Sequence, residues 1–205
     1  AKVINKNKYV HLNLSNNAAT TLGPWSLGVP DAMKIRKVWK GTAAGVTAAN
    51  GTDVTSHFLL DTGATDSFYS TSKLRKKTTS SLGTAATVGL LVEFDHFIVD
   101  TSSGIGFFSV DSYTNQTDYD QIPSYRNVRL SDAIDFRPKV ANVSTSGSTT
   151  AFAHSSKVFE GTGSSASHLP GPSDTIQLDY QTYLGRADKL FLTEKGRFIV
   201  QKGIP

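Results

Sequence analysis

Asp61 stands in the phrase Leu59-Leu60-Asp61-Thr62-Gly63-Ala64-Thr65. Two carboxylates that share one proton suit the hydrolysis of a peptide bond. One then activates water while the other protonates the carbonyl. The sequence holds no second Asp-Thr-Gly or Asp-Ser-Gly. The same letters also describe a strand ending at Leu60, with Asp61 and Gly63 forming a polar turn.

The remaining reactive side chains are scattered. The histidines are His11, His57, His96, His154 and His168, with no pair at the spacings a zinc site uses. Asp95 and His96 are adjacent, but neighbours on a strand face opposite ways. The chain has 23 serines, yet no Gly-x-Ser-x-Gly elbow to present one as a nucleophile. No glycine loop with phosphate-cradling spacing is present. Asp132 and Asp135 are expected to share a short helical face beside Arg137, where an Asp–Arg pair closing a turn is the simplest role. Trp25 and Trp39 lie in apolar text and are expected in the core. No catalytic residue, no cofactor and no metal is therefore expected.

The elements that position these groups read as strands. Residues 8–14 alternate polar and apolar, and the text from Ala1 to Val10 already looks like strand. Met33, Ile35, Val38 and Trp39 mark a second strand, with Lys34, Arg36 and Lys37 between them. Val88–Val99 is the strongest signal, continuously apolar at first. From Val92 it alternates, with Val92, Phe94 and His96 on one face and Glu93, Asp95 and Phe97 on the other. Ile105–Val110 is expected to return beside it as a hairpin partner. Arg129–Pro138 has room for one helical turn, with Ser131 as N-cap. Leu190–Leu192 and Phe198–Val200 flank a turn at Glu194-Lys195-Gly196.

Helical periodicity is nowhere sustained, and no internal repeat appears. Ser and Thr together make 46 of 205 residues. The expected fold is mainly β: an antiparallel β-sandwich-like domain with long polar loops, at most short helical turns, and a C-terminal β-hairpin. The expected organisation is a main β domain at 1–140, a Ser/Gly-rich loop or linker at 141–174, and a hairpin segment at 175–205.

Composition limits function. Cysteine is absent, which excludes disulfides, thiolate metal sites and cysteine nucleophiles. No stretch approaches the ~20 apolar residues of a membrane-spanning helix. The net charge of +4 is spread along the chain, apart from Lys34–Lys40 and the run Lys73–Lys77. With no supporting motif, nucleic-acid binding is not expected.

Two resemblances follow. The phrase around Asp61 resembles the active-site signature of retroviral-type aspartic proteases, and Tyr183-Leu184-Gly185-Arg186 is a distant echo of their second motif. The interval from Asp61 to Gly185 exceeds a whole protomer of that family, and no apolar glycine-rich flap lies between.

The second resemblance runs from about Lys8 to Pro205. Its phrases include Leu22-Gly23-Pro24-Trp25-Ser26-Leu27-Gly28-Val29-Pro30-Asp31, Gly89-Leu90-Leu91-Val92-Glu93-Phe94-Asp95-His96-Phe97 and Phe107-Phe108-Ser109-Val110-Asp111-Ser112-Tyr113. Leu130-Ser131-Asp132-Ala133-Ile134-Asp135-Phe136-Arg137-Pro138, Tyr183–Leu190 and Lys202-Gly203-Ile204-Pro205 follow in order. Together they resemble an uncharacterised domain of large virion structural proteins of tailed bacteriophages, especially myovirus-like phages of marine and cyanobacterial hosts. The resemblance implies a non-enzymatic part of a tail, baseplate or fibre, and a chain that is a piece of a longer protein. It implies localisation in the virion, partners among other virion proteins, and a homo-oligomer in a symmetric assembly. That family's segment at Asp61 typically lacks the Thr-Gly-Ala wording, which implies a structural turn. A host-surface or glycan-binding module is the alternative, expected to expose aromatics with carboxylates at loop tips between Tyr113 and Tyr125.

Overall fold

The computed structural model describes residues 1–13, 23–42, 45–82, 88–99, 107–114, 121–143, 159, 173, 175, 177, 179–180 and 184–204. The chain forms two compact units, Ala1–Pro172 and Ser173–Pro205. The fold is mainly β, and no α-helix occurs among the described residues.

The first unit is sandwich-like. One sheet has the order β1-β7-β3-β4, from Lys2–Asn13, Val88–Val99, Ala32–Thr42 and Thr52–Asp53. The other has the order β2-β6-β5, from Trp25–Pro30, Thr71–Lys76 and Phe58–Asp61. Every pairing within both sheets is antiparallel. Val10 and Leu12 of β1, Val38 of β3, and Leu90, Val92 and Phe94 of β7 meet Trp25, Leu27, Val29, Phe58 and Leu74 in one buried core. Burying each such side chain contributes about 1.5–3 kcal/mol.

Beyond the core the central strand is covered on both faces. Asp95, His96 and Phe97 are all buried. Phe97 packs with Tyr113, Ile122 and Leu130 in a second apolar cluster, joined by Ile4 and Met33. This cluster occupies the face of β7 opposite the inter-sheet core, as strand alternation requires. It is capped by 3-10 turns at Val110–Ser112 and Leu130–Asp132 and a small hairpin, β8 (Ser124–Tyr125) with β9 (Val128–Arg129).

Two strands beside β7 carry bulges. Ile35 pairs with Phe94 and Val38 with Val92, so β3 holds an extra residue there. That is why Ile35 and Val38, three apart, both reach the core. On β1 the register slips between Asn5 and Lys8, with Asn7 at φ 59°.

Several sequence expectations are corrected. Ile105–Val110 does not return beside β7, because β1 and β3 already occupy both its edges. Of that stretch 105–106 lie outside the described residues, and Phe108 bridges Asp135 instead. Ser131 is not an N-cap; it sits inside the 3-10 turn whose cap is Arg129. Trp39 is half-buried rather than core, stacked on Tyr9 across the solvent-side face of the sheet. Of 141–174 only 141–143, 159 and 173 are described.

Among the described residues of the second unit, β10 (Lys189–Leu192) pairs with β11 (Phe198–Gln201) as a hairpin. Its turn is closed by Gly196 N–H donating to the Thr193 carbonyl at 2.9 Å, with Gly196 at φ +71°. The left-handed conformation explains the glycine.

Candidate functional site

The richest polar constellation lies where residues 121–140 cross the end of the sandwich. Tyr69, just before β6, donates its backbone N–H to the Pro138 carbonyl at 2.8 Å, and Val140 N–H donates back to the Tyr69 carbonyl at 3.0 Å. This backbone exchange brings Asp135 to the Tyr69 hydroxyl and Arg137 to the Tyr69 ring. The Tyr69 hydroxyl donates a short hydrogen bond to Asp135 Oδ2. Arg137 grips both Asp135 oxygens, Nε to Oδ1 at 2.8 Å and Nη2 to Oδ2 at 2.9 Å. It also donates to the Tyr69 hydroxyl at 2.8 Å and the Thr65 carbonyl at 3.0 Å. Its guanidinium lies 4.5 Å from the Tyr69 ring centre and 4.4 Å from that of Tyr125.

The electrostatics follow from this packing. Burial pushes the Asp135 carboxyl up, but hydrogen bonds from Arg137 and Tyr69 outweigh it, so its pKa lies below the usual value. Burial pushes the Tyr69 phenol far above its ordinary value, reinforced by the charges of Asp31 and Asp135. Tyr69 therefore stays protonated. Four of the five Arg137 N–H groups are committed to protein oxygens. Tyr69, Asp135 and Arg137 are thereby joined in one hydrogen-bonded network.

A second buried charge lies beside it. The Lys2 ammonium sits 4.1 Å from the Tyr69 ring centre, 4.4 Å from Phe108 and 5.4 Å from Tyr113. Asp31 Oδ2 is 2.8 Å away. Asp31 is the single residue joining β2 to β3, at φ 60°, where the chain changes sheets. Lys2, only 1% exposed, thus pins the start of β1 to that crossover.

Next to these groups opens a cleft of about 550 Å³. Lys6, Arg36, Asp95, Gln121, Ser124 and Tyr125 lie among its polar lining, and Ile4, Met33, Ile122 and Leu130 supply apolar wall. A shallower hollow of about 390 Å³ shares Tyr125, Leu130 and Arg137 with it.

The sequence-derived candidates fall elsewhere or take structural roles. Asp61 ends β5; its Oδ1 accepts the Gly63 N–H at 3.0 Å and its Oδ2 accepts Arg75 Nε at 2.8 Å. Burial pushes its carboxyl up, but the bonds from Gly63 and Arg75 leave it lowered overall. Gly63, at φ +75°, has no room for a side chain, since a Cβ would lie 2.4 Å from the Ser70 carbonyl oxygen. Leu184-Gly185-Arg186 belongs to the other unit, where Arg186 pairs with Asp188 at 2.7 Å; Tyr183 lies outside the described residues.

His57 Nδ1 meets Ser80 Oγ at 2.9 Å, and Asn5 Nδ2 lies 3.3 Å from His96 Nε2. His11 is half-buried, and His154 and His168 lie outside the described residues. Burial, then the charges of Lys139 and Lys8, lower the His96 pKa to about 4. Among the described residues no three His, Cys, Asp or Glu side chains converge as metal ligands.

The pairing of Asp135 with Arg137 is the Asp–Arg closure expected from sequence, but the shared helical face is not. Asp132 ends the 3-10 turn, while Asp135 lies beyond it in a bridge to Phe108. Tyr113 is buried rather than presented at a loop tip. Sequence reasoning missed Tyr69, Lys2 and Asp31, which meet only through long-range packing. It also missed the cleft, although the three-residue step from Ile35 to Val38 within a strand is a readable sign of a bulge.

No family model, no curated protein and no solved structure matches the chain.

Proposed function

We propose that this chain is a non-enzymatic structural module of a tailed-bacteriophage virion, in its tail, baseplate or fibre. It acts by contact with copies of itself and with neighbouring virion proteins. The observation that carries the reading is the hairpin β10–β11. All eight of its strand residues are exposed. Leu190, Leu192, Phe198 and Val200 are paired across its strands on one face, with Phe191 and Ile199 on the other. An isolated two-stranded hairpin is marginal in water. Apolar residues on both faces suit a hairpin completed by another chain. The ordered resemblance to virion proteins supports the same reading, and the committed hydrogen bonds of Asp61 and Arg137 fit structural rather than chemical roles. Immunogold labelling of tailed-phage particles with an antibody against this chain tests it. Labels at regular positions along tail or baseplate are expected; absence of label from particles whose lysate contains the chain overturns it.

A further inference from the structure

The face of the larger sheet that points away from the inter-sheet core carries a second feature, independent of the hairpin. Asp95, at the centre of β7, lies between the two bulges. Its Oδ1 accepts the backbone N–H of Asn7 from the β1 bulge at 3.0 Å and Nε of Arg36 from the β3 bulge at 2.6 Å. Bulges re-aim side chains and recur beside binding sites. Here they turn Lys6 and Arg36 to the rim of the 550 Å³ cleft.

The same face continues into an aromatic pair. Tyr9 is paired with Glu93 and Trp39 with Leu91, so both rings lie on this side of the sheet. Their centres are 6.5 Å apart and their planes 24° from parallel, and Tyr9 is 50% exposed.

Charge on this face is largely paired within the sheet, with one clear exception. Two of its carboxylates are held by neighbours: Asp95 by Arg36 and Asn7, and Asp53 by Lys37 at 2.5 Å. Among the described residues the Lys6 ammonium has no carboxylate partner, and Arg36 reaches Asp95 through Nε, leaving the outer edge of its guanidinium unbonded. A concave polar cleft, one unpaired ammonium beside a guanidinium held along one edge, and near-parallel rings on the same face are complementary to a ligand with anionic groups on a ring-shaped, C–H-faced backbone.

We propose that this bulged face binds an anionic oligosaccharide. A pyranose packs against the Tyr9–Trp39 rings, and its carboxylate or sulfate is met by Lys6 and Arg36 at the cleft rim. Guanidinium recognises both anions bidentately, whereas an ammonium acts as a point charge.

Intrinsic fluorescence reads the binding directly, because Trp39 lies on the face while Trp25, 2% exposed, reports the core. The full chain is titrated separately with oligogalacturonate, a heparin oligosaccharide, a neutral cello-oligosaccharide and polyglutamate. The expected result is a saturable change with at least one acidic saccharide, about tenfold weaker with the neutral one. Lys6→Glu weakens it by about tenfold or more, and Tyr9→Ala abolishes it. Both residues are exposed, and unchanged thermal melting confirms that these variants fold. Silence with both acidic saccharides at millimolar concentration overturns the proposal. So does equal binding of polyglutamate, which reduces the face to an acidic-peptide or charge site, or wild-type binding by both variants. None of these outcomes bears on assembly through the hairpin.

Discussion

Arg36 meets Asp95 at 2.6 Å where the β3 register slips, and the same Asp95 oxygen closes the slip in β1. One buried carboxylate therefore holds both neighbours of the central strand in their bulged registers. Asp95→Ala leaves the Asn7 N–H and the Arg36 guanidinium without their acceptor. The expected loss is about 2–3 kcal/mol, read as a lower urea midpoint at unchanged slope. Asp95→Asn keeps an acceptor oxygen and is expected to lose less. Equal midpoints for wild type and Asp95→Ala would show that the bulges hold without it.

Arg137 is expected to be irreplaceable by lysine. Arg137→Ala leaves the 4%-exposed Asp135 side chain unpaired, at a cost of about 3 kcal/mol or more. Arg137→Lys keeps the charge but loses the two-oxygen grip and the guanidinium's contacts with the Tyr69 and Tyr125 rings. Chemical denaturation of both variants is expected to place lysine well below wild type. A lysine variant as stable as wild type would mean that charge alone suffices.

His96 gives the fold a pH dependence with a definite sign. Its folded pKa, about 4, lies below the ordinary 6.5, so between these values the unfolded chain binds a proton that the folded chain refuses. The stabilisation is present above pH 6.5 and is lost as pH falls towards 4, up to about 3 kcal/mol. Asp135 and Asp61, held low, give up their contributions at more acidic pH. His96→Gln is expected to flatten the slope of stability between pH 6.5 and 4, measured by denaturation at several pH values. An unchanged slope would place the proton uptake elsewhere.

What could be read in the sequence was local. The hairpin at Thr193–Gly196 shows because turn chemistry and flanking apolar runs lie within a few residues. The Asp61 turn shows for the same reason, its carboxylate bonding two residues ahead. Val88–Val99 is legible as the strongest strand, but its partners are not. β1 lies far from it in the chain, and pairing across such separations leaves no local signature. Tyr69 and Asp135 are 66 residues apart, and neither residue's immediate context announces the other. The Lys2 site is least legible of all, because a lysine near the start of a strand reads as solvated until the aromatic rings around it are assembled.

Sedimentation equilibrium of the full chain reads contact through the hairpin without a labelled partner. Wild type is run over a wide concentration range beside Leu192→Asp/Phe198→Asp, which charges the larger apolar face. Wild type is expected to show concentration-dependent mass above 22.0 kDa and the variant to stay a monomer, with the same tryptophan emission in both. A wild-type monomer at every concentration, or equal association by the variant, would contradict it.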